Sequence, residues 1–186
     1  IGYSEENDKR SLPDGFYGQT KREAEMKLIE LSQKEDMNIS IIRPTLIYGP
    51  SMKGNLESML GAIKSGWFPP IPRVNNKKSL IHVDDLVRAI WLVLNSHNTN
   101  GQIYIASDGN TYSTSQIYEE ILKDIGKSIP LYRVPLGFFN LLGHLNKNLR
   151  YKLDKLFSDQ EYSSKKLQDL GFKSELSFED FNRQAF

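Results

Sequence analysis

At 186 residues the chain is long enough for one domain with a real core, or for a modest domain plus a small lobe. Lysine and arginine total 24 against 23 aspartates and glutamates, a balance that leaves no footprint for nucleic acid or an anionic membrane but stays compatible with a local basic pocket for a phosphate. The absence of cysteine excludes disulfides, cysteine–zinc sites and thiol nucleophiles, and it fits a reducing, cytoplasmic setting.

Residues 1–10 are polar and acidic, unlike a signal peptide, and read as a loop. Without an initiator methionine, the chain is expected to begin inside a longer product. Residues 17–34 read as a helix with Tyr17, Lys21, Ala24, Leu28 and Leu31 on one face and Arg22, Glu23, Glu25 and Glu30 on the other. A strand over 38–43 carries Ile39, Ile41 and Ile42 and is ended by Pro44, and Tyr48-Gly49-Pro50 is a turn. A helix over 56–64 places Leu56, Met59, Leu60 and Ile63 on one side. The Pro- and Asn-rich stretch 66–78 excludes regular helix. A short strand over 79–83 leads into a helix capped by Asp84, with Leu86, Ile90, Val93 and Leu94 as its apolar side. A strand follows over 102–106. Ser113 and Gln116 then form a capping-box signature for a helix carrying Ile117, Ile121 and Leu122 and stopped at Gly126. The remainder reads as helical: apolar over 138–145, amphipathic over 149–157, then 163–170 ending at Gly171, and a short last helix over 178–185. Strands alternating with helices as far as residue 125 argue for α/β with a parallel sheet, and no apolar run approaches the length of a membrane span.

Tyr17 and Lys21 are the sharpest local feature, since a spacing of four puts both side chains on one helical face, a turn apart. A free phenol, with a pKa near ~10, is a poor base at neutral pH. A neighbouring ammonium favours the phenolate, which can then exchange a proton with a hydroxyl. Spacing alone also fits a solvated helix edge. Elsewhere the signals are structural. His82 sits in an apolar strand, and the three histidines show no metal-ligand spacing with acids, so no metal site is expected. Asp84 and Asp85 read as helix caps; Trp67, Phe68 and Trp91, and the stretch Phe138, Phe139, Leu141 and Leu142, read as packing within core or lobe.

Four segments in order resemble the extended short-chain dehydrogenase/reductase family, which includes nucleotide-sugar 4-epimerases, 4,6-dehydratases and 4-ketoreductases. They are Tyr17-Gly18-Gln19-Thr20-Lys21 with Glu23-Ala24-Glu25, Ile42-Arg43-Pro44-Thr45-Leu46-Ile47-Tyr48-Gly49-Pro50, Ser79-Leu80-Ile81-His82-Val83-Asp84-Asp85-Leu86-Val87-Arg88-Ala89, and Ser164-Lys165-Lys166 with Leu170-Gly171-Phe172. The resemblance implies the C-terminal portion of a Rossmann-like doubly wound parallel sheet, over 1–51 and 79–107, plus a small, mostly helical substrate-binding lobe over 52–78 and 108–186. It implies Tyr17 as acid/base, and Lys21 as the residue that tunes it and holds the nicotinamide ribose. It sets Pro44, Thr45 and Leu46 against the nicotinamide of NAD or NADP. Asn55, with Leu56, matches the position that contacts the sugar diphosphate, an ordinary helix N-cap being the alternative. Pro70 and Ile71 match the segment beside the nucleotide base, a plain Pro-rich loop being the alternative. Lys78 stands where the family often has a phosphate-binding arginine, and Lys77 is its substitute; lysine supplies the charge without the bidentate fork.

The glycine-rich cofactor turn of the family is absent from these residues, and its catalytic Ser or Thr lies further upstream than the sixteen residues before Tyr17; Ser4 and Ser11 are too near to replace it. The N-terminal NAD-binding half is therefore expected to lie outside the sequence, and the piece alone is expected to be inactive and to expose a sheet edge and an apolar face. Met52-Lys53-Gly54-Asn55-Leu56 and the Asn/Lys-rich 75–78 look most like reductases and epimerases of UDP-N-acetyl sugars in bacterial surface-polysaccharide synthesis. The implied partners are a UDP-sugar and a second copy of the intact protein as a homodimer, with neither nucleic acid nor membrane. A non-catalytic sugar-nucleotide-binding or structural fragment is the other class of function.

Overall fold

The computed structural model describes residues 16–35, 37–51 and 53–180. The loop expected over 1–10 and the residues 181–185 of the last expected helix lie outside that range. Helix α1, Phe16–Lys34, follows the expected periodicity, yet none of its residues is buried. Strand β1, Ile41–Pro44, begins later than its apolar run. Upstream, the Ile39 amide is taken by the Asn100 side chain (2.8 Å) and the Ser40 hydroxyl donates to the Thr99 carbonyl (2.7 Å).

β1 pairs in parallel with β4, Ile103–Ala106, in the register Ile41↔Ile103 to Pro44↔Ala106. Thr45 still donates its N–H to the Ala106 carbonyl (3.0 Å). The chain then changes partner. β2, Leu46–Tyr48, pairs in parallel with β3, Leu80–His82. Three residues are too few for a period-2 signal, and the sequence showed only the turn that begins at Tyr48. That turn needs its glycine: Gly49 has φ +131°, and a Cβ there would stand 2.7 Å from Val83 Cγ1.

Helix α2, Asn55–Lys64, buries Leu56, Met59, Leu60 and Ile63 as expected, but its N-cap is Gly54, not Asn55. Helix α3, Val83–Asn95, departs from expectation twice. Its N-cap is His82, whose Nδ1 accepts the Asp84 N–H (3.1 Å), so Asp84 sits inside the first turn. Its buried face is Asp85, Ala89 and Val93, while Ile90 and Leu94 point outward. Asp85 is no cap either. Fully buried, it pairs with Arg88 and accepts from Ser174 Oγ (2.7 Å) and the N–H groups of Glu175 (3.2 Å) and Leu176 (3.1 Å), anchoring the C-terminal segment.

Helix α4, Thr114–Asp124, opens on the complete Ser113/Gln116 capping box, and Gly126 follows it at φ +71°. Helices α5, Leu136–Leu145, and α6, Lys147–Phe157, form a hairpin; α7, Lys165–Asp169, and a 3₁₀ turn, Phe178–Asp180, complete the described chain. No helix among the described residues is long and apolar enough to cross a membrane.

Two apolar clusters hold these elements. The first joins α2, Ile71, α4 and Phe139 to Tyr48, Leu80 and Phe178; the second joins Ile81, Ala89, Val93, Tyr104 and Ala106 to Leu167 and Phe172. The stretch 164–172, expected in the lobe, thus packs on α3 and β4. Trp67 and Trp91, expected to pack, are exposed, and Phe68 alone of that trio joins the first cluster. Of the 138–142 stretch, Phe139 is buried while Phe138 and Leu141 are exposed.

Candidate active site

The N-terminal turns of α1 present Tyr17 and Lys21 together, the lysine Nζ lying 5.8 Å from the phenol ring centroid. Tyr17 is 75% exposed, so its hydroxyl is open to a reactant. Two turns on, Glu25 accepts both Nε (2.9 Å) and a terminal nitrogen (2.5 Å) of Arg43, and Arg22 joins it at 3.2 Å. This bidentate pair was not recognised in the sequence, where Glu25 counted among the solvated charges. The available signal was Arg43 itself, a cation inside an otherwise apolar strand. The pair fixes α1 to β1 at the residue before Pro44, about 12 Å along the helix axis from Tyr17.

Pro44 and Thr45 close the carboxyl end of the β1–β4 pair, the end at which parallel α/β sheets receive ligands. Thr45 Oγ1 donates to the Ala106 carbonyl (3.1 Å), which holds that end together, and Leu46 turns partly into the first cluster. Beneath, Tyr48 is fully buried and meets the rings of His82 and Phe178 edge-on, each at 5.1 Å. Burial first, and Arg88 after it, hold the His82 pKa below its usual value against the opposing pull of Asp84, which favours the neutral ring that can accept the α3 cap bond.

The expected substrate residues are dispersed. Asn55 is exposed at the first turn of α2 and makes no side-chain hydrogen bond among the described residues, whereas Leu56 beside it is buried. Pro70 lines an aromatic cleft of about 840 Å³ with Trp67, Phe68, Tyr118 and Tyr132, and its carbonyl accepts the Val134 N–H (3.0 Å). Ile71 is wholly in the core. Lys78 does not offer a free charge. Its residue is 3% exposed, and its ammonium donates to the Lys155 carbonyl (2.7 Å) and Gln160 Oε1 (3.1 Å). Desolvation brings its pKa down to about 8 despite Asp159 nearby. Lys77 is exposed instead, pairs with Glu161 (3.0 Å) and lines a polar cleft of about 450 Å³ with Arg73, Asn75 and Gln116. Neither cleft is lined by Asn55 or Lys78.

Comparison with known proteins bears on this arrangement. The profile of the NAD dependent epimerase/dehydratase family matches residues 3–106. A UDP-glucose 4-epimerase of Vibrio cholerae is 30% identical over 146 residues, which is 78% of this chain and 44% of that protein. An N-acetyl-alpha-D-glucosaminyl-diphospho-ditrans,octacis-undecaprenol 4-epimerase of Escherichia coli O157:H7 is 30% identical over 134 residues, 71% of this chain and 40% of that one. The chain thus spans less than half the length of either relative. Among solved structures, the Thermus thermophilus UDP-glucose 4-epimerase in complex with NAD superposes with a TM-score of 0.67 at 17% identity, over 91% of this chain and 52% of that one. At that identity the likeness establishes the fold, a Rossmann-like α/β architecture, and nothing further.

Proposed function

Because the chain belongs to the NAD dependent epimerase/dehydratase family, we propose that it carries the acid–base part of the active site of an NAD(P)-dependent sugar-nucleotide 4-epimerase or 4-keto-sugar reductase. The observation that carries this reading is the exposed Tyr17–Lys21 pair on a helix clamped to β1 through Glu25 and Arg43. What supports a nicotinamide there is the position of Pro44 and Thr45 at the carboxyl end of a parallel strand pair. NAD(P), when bound, supplies hydride transfer at the sugar C4. Tyr17 moves the proton at the C4 hydroxyl, and Lys21 stabilises the phenolate and holds the nicotinamide ribose. Thr45 and Pro44 orient the reacting face.

We assign Asn55 to the sugar diphosphate, at a helix N-terminus whose free N–H groups favour an anion. Pro70 flanks the base, with Ile71 anchoring that segment in the core, and Lys78 acts by holding the segment to α6 rather than by touching phosphate. We assign 1–51 and 79–107 to the sheet portion and 52–78 and 108–186 to the lobe, with the 164–172 stretch of the latter packing back on α3 and β4. The substrate is a UDP-N-acetyl sugar handled in the cytoplasm for surface-polysaccharide synthesis. The E. coli relative, named for an N-acetylglucosaminyl diphosphate, supports the N-acetyl group. The test is proton NMR of UDP-N-acetylglucosamine, and of a UDP-linked 4-keto-6-deoxy sugar, incubated with full-length protein and NAD(P)(H). Inversion or reduction at C4 is expected. No change in either sugar would overturn the proposal and leave a binding or structural role.

A further inference from the structure

The near-neutral balance of the whole chain conceals a local segregation of charge. The α5–α6 hairpin carries Lys147, Arg150, Lys152 and Lys155 against the single acid Asp154, a balance of +3 in a chain whose total is +1. The same hairpin leaves large apolar side chains uncovered: Phe138 is 47% exposed, Leu141 63% and Tyr151 46%. Leu131, fully exposed, and Tyr132 precede it in the chain.

These side chains are not scattered at random. On α5 the inner side is Phe139, Leu142 and Gly143, the glycine giving close approach to Arg150; Leu141 lies opposite, and Phe138, three residues before it, lies at the flank with its ring edge-on to Phe139 at 6.2 Å. On α6 the inner side is Leu149, Leu153, Leu156 and Phe157, so Lys147, Tyr151 and Lys155 follow one another at four-residue spacing along the outer side. The Lys155 ammonium lies 4.4 Å from the Tyr151 ring centroid. Asp154 offsets only Arg150, at 3.7 Å, and Lys147 and Lys152 have no acidic partner among the described residues.

We propose that the α5–α6 hairpin docks this protein on an anionic lipid bilayer, with Phe138, Leu141 and Tyr151 entering the headgroup region and the α6 lysines on the lipid phosphates. The combination of a basic helix with exposed aromatic and leucine side chains is what an interfacial helix requires. The charge decides among occupants. A second copy would bring two cationic hairpins together, which repels. A nucleic acid would use the lysines but leave Phe138 and Leu141 in water. An anionic bilayer satisfies both sets. The inference rests on the hairpin alone and is independent of the reaction assigned to Tyr17.

The test is co-sedimentation of the full-length protein with vesicles of phosphatidylcholine, alone or with phosphatidylglycerol as the minor component. Binding to the mixed vesicles is expected, with little to phosphatidylcholine alone, and it should weaken with added salt. Each basic residue at such a surface contributes about 1 kcal/mol, so Lys147→Gln combined with Lys152→Gln should lower partition about 30-fold. Phe138→Ser combined with Leu141→Ser, both at exposed positions, should lower it at least about tenfold. Absence of binding to mixed vesicles, equal binding to both compositions, or binding unaffected by either double variant would overturn the proposal. So would a duplex RNA that binds the Phe138→Ser/Leu141→Ser protein as well as the parent while vesicles bind neither. A dimer in lipid-free sedimentation that Leu141→Ser dissolves would likewise replace the bilayer with a second copy.

Discussion

Around Lys78 two distant segments converge: Tyr112 bridges its backbone from one side and Gln160 from the other, and the ammonium ends on the last turn of α6. A helix C-terminus is a favourable place for a cation, but removal from water outweighs that benefit and holds the pKa to about 8. Because the unfolded lysine titrates near 10.5, the unfolded chain binds more protons throughout the window between those values. Stability therefore rises as the pH climbs from about 8 towards 10.5, and the cost of the buried charge is fully present below about 8. Lys78→Met keeps the volume and removes the titration, so thermal midpoints of wild type should gain on those of the variant across that window; parallel curves would exclude the account. A basic residue just ahead of the β3 strand was legible in the sequence. Its burial was not, because the groups that bury it, Lys155 and Gln160, lie 77 and 82 positions away.

Among the elements, α1 depends most on a single joint. None of its residues is buried, and the Glu25–Arg43 pair, with side chains 17% and 19% exposed, ties it to β1. Glu25→Gln leaves the Arg43 guanidinium partly desolvated without its carboxylate, which should cost roughly 2–3 kcal/mol in denaturant unfolding, less than the ~3–5 of a fully buried pair because both side chains keep some exposure. The same variant should lower turnover although it touches no reactant, since Tyr17 rides on this helix. A stability and turnover equal to wild type would show that α1 is held by other means. Elements whose signals are internal were legible: the Ser113/Gln116 box of α4 lies within four residues, and the apolar side of α2 repeats at helical spacing. Elements defined by distant partners were not. β2 exists because β3 pairs with it, and α3 turns Asp85 inward because Ser174, Glu175 and Leu176 supply that carboxylate with donors. His82 replaced Asp84 as the cap of α3 because its ring, wedged beside Tyr48, already offers Nδ1 to the first turn.

In the whole molecule, two clusters meet along β2 and β3, whose alternate residues feed one or the other: Tyr48 and Leu80 go to the first, Ile81 to the second. The α/β class and the order of the four matching segments could be read from sequence, because each segment is continuous. The site could be read only in part. Tyr17 and Lys21 are neighbours by helical geometry alone, whereas the surroundings of Asn55, Pro70 and Lys78 depend on tertiary placement that spacing does not encode. Whole-chain charge was the least informative quantity, since its near-zero sum averages over the cationic α5–α6 hairpin. The exposed face of α1, with Tyr17, Leu28 and Leu31 open, and the greater length of the relatives make full-length protein the proper object of the decisive assay. That assay is the steady-state turnover of a UDP-N-acetyl sugar by Tyr17→Phe beside wild type. Loss of the phenolic proton carrier should lower kcat by about 10²- to 10⁴-fold while the protein stays folded. Unchanged turnover would contradict the assignment of Tyr17 as the acid/base and with it the proposed mechanism.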